Sequence, residues 1–258
     1  MPSHDDYTEA YAECYEFITQ HKNYAEEVDM LIDFLEKHEF DRKILSVGCG
    51  TGMHEFQLAK RGFRVFGIDK SEWMINLALS KSNDVPNLSF GQTYLDAEQY
   101  LGAPFRCVIS LFNVVNCLPD LFSLREFFQE IFARMETGGI FFFEAWNGTE
   151  CLINPPQTVV RNFESSSGSS LARKALPCLK TSRQHLELRY EIDGYMLDRA
   201  VSVKSLHNIR LFTVNEMIYL LSSVGFKSVR VFSSLPGIES FDFDSLNPPR
   251  MLSFSALT

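Results

Sequence analysis

Two apolar periods alternate along the first 150 residues of this chain. Short, mostly apolar runs at 44–47, 64–68, 88–90, 105–112 and 140–144 predict strands covered on both faces. Between them, 53–61, 71–80 and 124–135 keep the spacing of amphipathic helices. Gly62 predicts a helix end, Ser71 an N-cap, and Gly138-Gly139 a turn before the fifth strand. Upstream, 7–40 reads as helical, with Tyr24, Val28, Leu31, Ile32 and Leu35 on one face. Strands alternating with helices predict an α/β, doubly wound, mostly parallel sheet.

The pattern then changes. Residues 158–164, 171–178, 184–192 and 200–206 read as four strands with no helix between them, with turns at 165–170 and at Asp193-Gly194. This predicts an antiparallel insertion after the fifth strand. Thr213 with Glu216 three residues on forms a capping-box pattern for a helix to Val224, which Gly225 ends. Strands at 227–233 and 250–257 bring the main sheet to seven. The expected organisation is a helical lid at 1–40, a main domain at 41–150 and 207–258, and the insertion at 151–206. The insertion is expected to serve as substrate cover or dimer surface.

Composition narrows the function. Net charge is −9, which argues against a nucleic-acid backbone as partner, since that binding needs clustered Lys and Arg. The 23 phenylalanines predict an aromatic core. Six scattered cysteines form no CxxC pair and no metal-ligand spacing, so reduced thiols, a cytoplasmic location and no metal are expected. The acidic N-terminus lacks the apolar stretch of a signal peptide, and no run is long enough for a membrane span.

The chemistry concentrates at Val47-Gly48-Cys49-Gly50-Thr51-Gly52 after the first strand and at Gly67-Ile68-Asp69-Lys70-Ser71 closing the second. A glycine loop followed by a strand ending in a carboxylate is how a doubly wound domain builds an adenosine-cofactor site. The glycines at 48, 50 and 52, with Met53 next, do not match the G-x-G-x-x-G cradle of a dinucleotide pyrophosphate.

These two motifs, with Met74 completing an S-x-x-M helix start, resemble class I S-adenosylmethionine-dependent methyltransferases. The resemblance covers 11–147 and 207–257 and implies a Rossmann-like fold and S-adenosylmethionine as cofactor. It places Gly48, Cys49, Gly50, Thr51 and Gly52 against the methionine and ribose parts. Asp69 then takes both ribose hydroxyls, with Lys70 beside it, and Met74 lies either near the adenine or simply in the core. Gln92 stands where the family has an acid after the third strand, so Asp96 is chosen for the adenine amino group. Leu111 and Asn113 border the cofactor at the mouth of the fourth strand. Asn113 and Asn116 are either site residues or turn caps.

Tyr11-Ala12, Tyr15-Glu16 and Lys22-Asn23-Tyr24 are similar to the opening of small-molecule N- or O-methyltransferases of sugars, amino sugars and related metabolites. That likeness implies cofactor contacts from Tyr11 and Tyr24 and an acceptor-facing Tyr15, although amphipathic tyrosines also serve as core. It offers Trp146 for the acceptor. Arg210 either holds an anionic acceptor or pairs with a surface acid. His207 is either a general base or structural. With Tyr15 and Asn116 it completes the candidate catalytic set. The expected partner is a small-molecule methyl acceptor, with no nucleic acid and no membrane, the chain being a monomer or homodimer. Rival readings are a non-catalytic S-adenosylmethionine-binding protein and an NAD-dependent oxidoreductase. An aminopropyltransferase would need paired acids in the strand-four loop, which are not seen.

Overall fold

The computed structural model describes residues 7–38, 41–92, 104–233, 235, 239–245 and 247–258. Two helices open the chain, α1 (Glu9–Thr19) and α2 (Tyr24–Leu35), where the sequence suggested one. Asn23 causes the break. Its side chain accepts from the Glu26 N–H at 3.3 Å and caps α2, while Thr8 caps α1.

A βα alternation follows: β1 (Lys43–Val47), α3 (Met53–Lys60), β2 (Arg64–Asp69), α4 (Glu72–Ser82), β3 (Leu88–Gln92) and β4 (Phe105–Ser110). Next come α5 (Leu121–Ala133) and β5 (Met135–Trp146). The Gly138-Gly139 turn lies within β5 as an irregularity, where the β4–β5 register shifts between Phe105 and Cys107. After the short α6 (Gly148–Ile153) run β6 (Val159–Glu164), β7 (Ser170–Lys180), β8 (His185–Met196) and β9 (Arg199–Arg210). The chain closes with α7 (Val214–Val224), β10 (Lys227–Ser233) and β11 (Met251–Leu257).

The main sheet has seven strands in the order β10-β11-β5-β4-β1-β2-β3. Strands β3, β2, β1, β4 and β5 run parallel, and β11 enters antiparallel between β5 and β10. Alternation within single strands explains the two covered faces. Leu45, Val47, Phe141 and Phe143 bury into a core with α5 and α7. Ile44, Val65, Cys107 and Phe142 bury into a second core with α2, α3 and α4. The abundant phenylalanine is spent here: Phe143 stacks on Phe254 with ring centroids 4.8 Å apart.

Strands β6–β9 form a separate antiparallel sheet in sequence order. Its hairpin geometry differs from the sequence expectation at one place. Asp193-Gly194 is no turn but lies inside β8, paired with Ser202 and Val201 on β9, and the chain reverses at Leu197-Asp198. Gly194 is required there by close approach, because a Cβ would stand 2.1 Å from the Ser170 carbonyl oxygen. Helix α1 packs its Tyr11, Ala12, Cys14 and Ile18 against this sheet and against Met74 of α4. The smaller sheet, α1 and the carboxyl ends of β1 and β2 thereby enclose one region.

Candidate active site

The region is built outward from the loop between β1 and α3. The N–H groups of Gly48 and Cys49 both donate to the Ile68 carbonyl, at 2.8 and 3.0 Å. That pins the loop to the end of β2. Gly48 adopts φ +74°, and a Cβ there would meet Val114 Cγ2 at 2.4 Å, so only glycine fits. Gly50, by contrast, has nothing within 4 Å of its absent Cβ, so its backbone is bare on the open side.

Asp69 ends β2 and organises the loop. Oδ2 accepts from the Gly50 N–H and Oδ1 from the Ser71 N–H, both at 2.9 Å. Each oxygen keeps a lone pair for a ligand. Burial raises the carboxyl above its ordinary value, against the pull of these two donors.

Loop and carboxylate border a cavity of about 700 Å3. Tyr15, Tyr24, Gly48, Cys49, Gly50, Thr51, Asp69, Lys70, Met74 and Leu111, all anticipated from sequence, line it. Tyr7 joins Tyr15 and Tyr24 along the side formed by the N-terminal helices. Lys81 fixes that side, donating to the Thr51 carbonyl at 2.9 Å and pairing with Glu16 of α1. Burial holds the Tyr15 phenol well above its ordinary value, so it remains a protonated donor.

Three lining residues carry buried polar atoms with no hydrogen-bond partner, the Tyr24 hydroxyl, Thr51 Oγ1 and Glu55 Oε2. Such orphans are rare in the absence of a ligand that satisfies them. Glu55 Oε1 accepts from Ser46 at 2.5 Å, and burial raises its carboxyl. Beside it, His54 Nε2 lies 2.8 Å from Glu27 Oε2, which also pairs with Lys22 at 2.6 Å. The sequence reading missed His54 and Glu55. A signal existed, because both share the buried face of α3 with Leu58 and Ala59, and two titratable residues on an apolar face need a reason.

Several expected site residues stand elsewhere. Asn116 is buried and committed to backbone, with its amide donating to the Arg210 carbonyl at 2.8 Å and its oxygen accepting from the Trp146 N–H at 2.9 Å. It ties β9 to β5 instead of touching the cavity. Arg210 closes the turn before β8, donating to the carbonyls of Arg183 and Gln184 and to Gln184 Oε1 at 2.7–2.9 Å. Among the described residues no carboxylate lies at ion-pair distance from it. Trp146 packs at the end of β5 with Cys151, Leu186 and Leu211. Gly52 caps α3, and Asn113 adopts φ +67° at the start of the short 3-10 helix Val114–Cys117. Neither lines the cavity. Asp96 lies outside the described residues.

His207 lies within β9, not after a strand, and is one step removed from the cavity. Tyr7, Tyr11 and Tyr190 surround it with ring centroids 5.0–5.1 Å away, and Nε2 is 2.9 Å from Ser205 Oγ. Burial, then Lys70, push its pKa down to about 4, so it is neutral near pH 7. Tyr11 belongs to the same aromatic cluster and not to the cavity wall.

This site can be compared with known proteins. Residues 20–227, more than half of the chain, match the family described as "Methyltransferase domain", and the chain belongs to that family of S-adenosylmethionine-dependent methyltransferases. It is 26% identical over 213 residues to the dTDP-3-amino-3,6-dideoxy-alpha-D-glucopyranose N,N-dimethyltransferase of Streptomyces fradiae, covering 81% of this chain and 80% of that protein. A Geobacillus sp. protein bearing a methyltransferase name is 33% identical over 105 residues, which span 40% of this chain and only 42% of that relative. Among solved structures, SAM-bound CalS10, an amino pentose methyltransferase of Micromonospora echinaspora, superposes with a TM-score of 0.68. Its identity is 22%, and 98% of each chain is covered. No helix among the described residues is long and apolar enough to cross a membrane.

Proposed function

We propose that this enzyme methylates an amine or hydroxyl of a sugar or related small metabolite. One observation carries the reading: a single cavity of about 700 Å3 joins the glycine loop and Asp69 to the tyrosines of the N-terminal helices. That volume suits a cofactor together with a small acceptor. The 26% likeness to a dTDP-amino-sugar dimethyltransferase supports the acceptor class.

The residues present fit S-adenosylmethionine. Asp69, with one lone pair free on each oxygen, suits the vicinal ribose hydroxyls. Glu55 Oε2 and Thr51 Oγ1 are unsatisfied acceptors on the same wall and suit the cationic ammonium of its methionine part. Met74 and Leu111 supply the apolar side for the adenine. When bound, the cofactor would supply an activated methyl group on a sulfonium for transfer to an acceptor amine or hydroxyl.

Because that methyl is already activated, positioning provides most of the rate. Tyr15 orients the acceptor through a phenol that stays protonated. His207 supports Tyr7 and Tyr11 from behind and is a positioning residue. The two helices α1 and α2 form the lid over this side, and the β6–β9 sheet backs it as a substrate cover.

The test is a transfer assay with labelled S-adenosylmethionine and a panel of amino sugars and sugars, each free and phosphorylated. Label should appear in at least one amine or hydroxyl product with matching release of S-adenosylhomocysteine. Cofactor binding with no transfer to any member would leave a non-catalytic binding protein as the better account.

A further inference from the structure

Beside the cofactor cavity lies a second cleft of about 350 Å3, where the end of α1 faces β6, β7 and β8. Of its nine described lining residues, His21, Lys22, Arg161 and Arg173 are basic and none is acidic. That is notable in a chain with 33 acidic and 24 basic residues. Arg161 Nη1 lies 2.8 Å from His21 Nε2. A guanidinium only donates, so the imidazole nitrogen accepts and His21 is held neutral. Arg173 donates one hydrogen bond, to the Ile18 carbonyl at 3.3 Å, and its guanidinium lies 5.4 Å from the centroid of the Tyr190 ring. Among the described residues neither arginine has a carboxylate at ion-pair distance.

The cleft is not remote from the chemistry. Phe112 lines both it and the cofactor cavity. That ring is 43% exposed, sits at φ +62° and carries Lys22 Nζ 4.3 Å from its centroid. Phe112 is therefore a wall shared by the cleft that holds the arginines and the cofactor cavity.

We infer that this cleft binds a phosphoryl group, and that the group belongs to the methyl acceptor. The inference rests on the function proposed above. Two guanidinium forks face each other from the neighbouring strands β6 and β7, and the Lys22 ammonium, which also pairs with Glu27 at 2.6 Å, adds a third positive group from the helical side. Such an arrangement suits a tetrahedral, multiply charged oxyanion better than a planar carboxylate. The positive field is already visible on His21, which burial, Arg161, Arg173 and Lys22 push below its ordinary value.

Calorimetric titration of the full chain, saturated with S-adenosylmethionine, tests the site with inorganic pyrophosphate and with acetate. Pyrophosphate should bind, more tightly than acetate, and more weakly as salt rises. Arg161→Gln and Arg173→Gln should each weaken it about tenfold, as expected for one charge-assisted hydrogen bond. Lys174→Gln, an exposed charge on the same strand outside the cleft, should not. In the transfer assay, phosphorylated sugars should exceed their free counterparts in kcat/KM, and Arg173→Gln should erase that advantage. The inference falls if pyrophosphate does not bind, displaces the cofactor, binds no better than acetate, or responds to Lys174→Gln as to the arginine variants. Equal turnover of free and phosphorylated sugars overturns its second half. Failure of the function itself would show separately, as absent transfer from a protein that still binds pyrophosphate.

Discussion

At the scale of single residues, burial decides what each titratable group does. His207 has its pKa near 4 against an ordinary 6.5. The folded value is the lower one, so this site's stabilisation is complete above pH 6.5 and is lost as pH falls toward 4, up to about 3 kcal/mol. His207→Phe should therefore flatten the loss of thermal stability across that window, as a pH series of melting curves would show. A neutral His207 also predicts no inflection from this residue in kcat near pH 6.5; an inflection there that His207→Gln removes would restore it as a base. Glu55 shifts the other way. Burial raises its pKa, so ionising it costs stability as pH rises. Glu55→Gln keeps an acceptor for Ser46 and should raise the melting temperature of the cofactor-free protein at neutral pH, an advantage that shrinks on acidification. The same variant should weaken S-adenosylmethionine binding.

At the scale of elements, capping and local approach set the limits of helices and loops. Thr213 and Glu216 form the reciprocal box expected from their spacing, at 3.2 and 2.6 Å. Thr213→Ala should cost about 1 kcal/mol, or roughly 2–4 °C in melting temperature. Gly48→Ala should instead abolish cofactor binding, because Val114 occupies the space a methyl would need. Local signals of this kind were legible in sequence. Ser71 caps α4 and Gly225 ends α7 as their positions foretold. The Asp193-Gly194 pair misled because its turn chemistry is local, whereas its place inside β8 is set by pairing with β9 across the hairpin. Asn116 and Arg210 misled for a related reason: their partners are backbone carbonyls and N–H groups, which a sequence does not display.

At the scale of the whole molecule, the two halves of the site differ in how they are encoded. The half proposed for the cofactor is contiguous, with the loop at 48–52 and Asp69 one βα unit apart, so a local motif in the sequence points to it. The side proposed for the acceptor is assembled from α1, the strand-four exit and the β6–β9 sheet. Phe112, Arg161 and Arg173 carry no local motif: β6–β7 pairing sets the two arginines opposite each other, and Phe112 reaches the same cleft from the strand-four exit. The fold follows the same rule. Strands apolar on both faces announced the doubly wound sheet, and consecutive Phe141, Phe142 and Phe143, all fully buried, show why both faces had to be covered. The antiparallel entry of β11 between β5 and β10 is a long-range pairing that periodicity does not specify.

The central claim is that the carboxylate closing β2 and the glycine loop it holds form the S-adenosylmethionine site. Calorimetric titration of S-adenosylmethionine into the native chain and into Asp69→Ala tests it most directly. The account predicts one site per chain in the native protein and no measurable binding in the variant, with the variant still folded by circular dichroism. Unchanged affinity in a folded Asp69→Ala protein would contradict it.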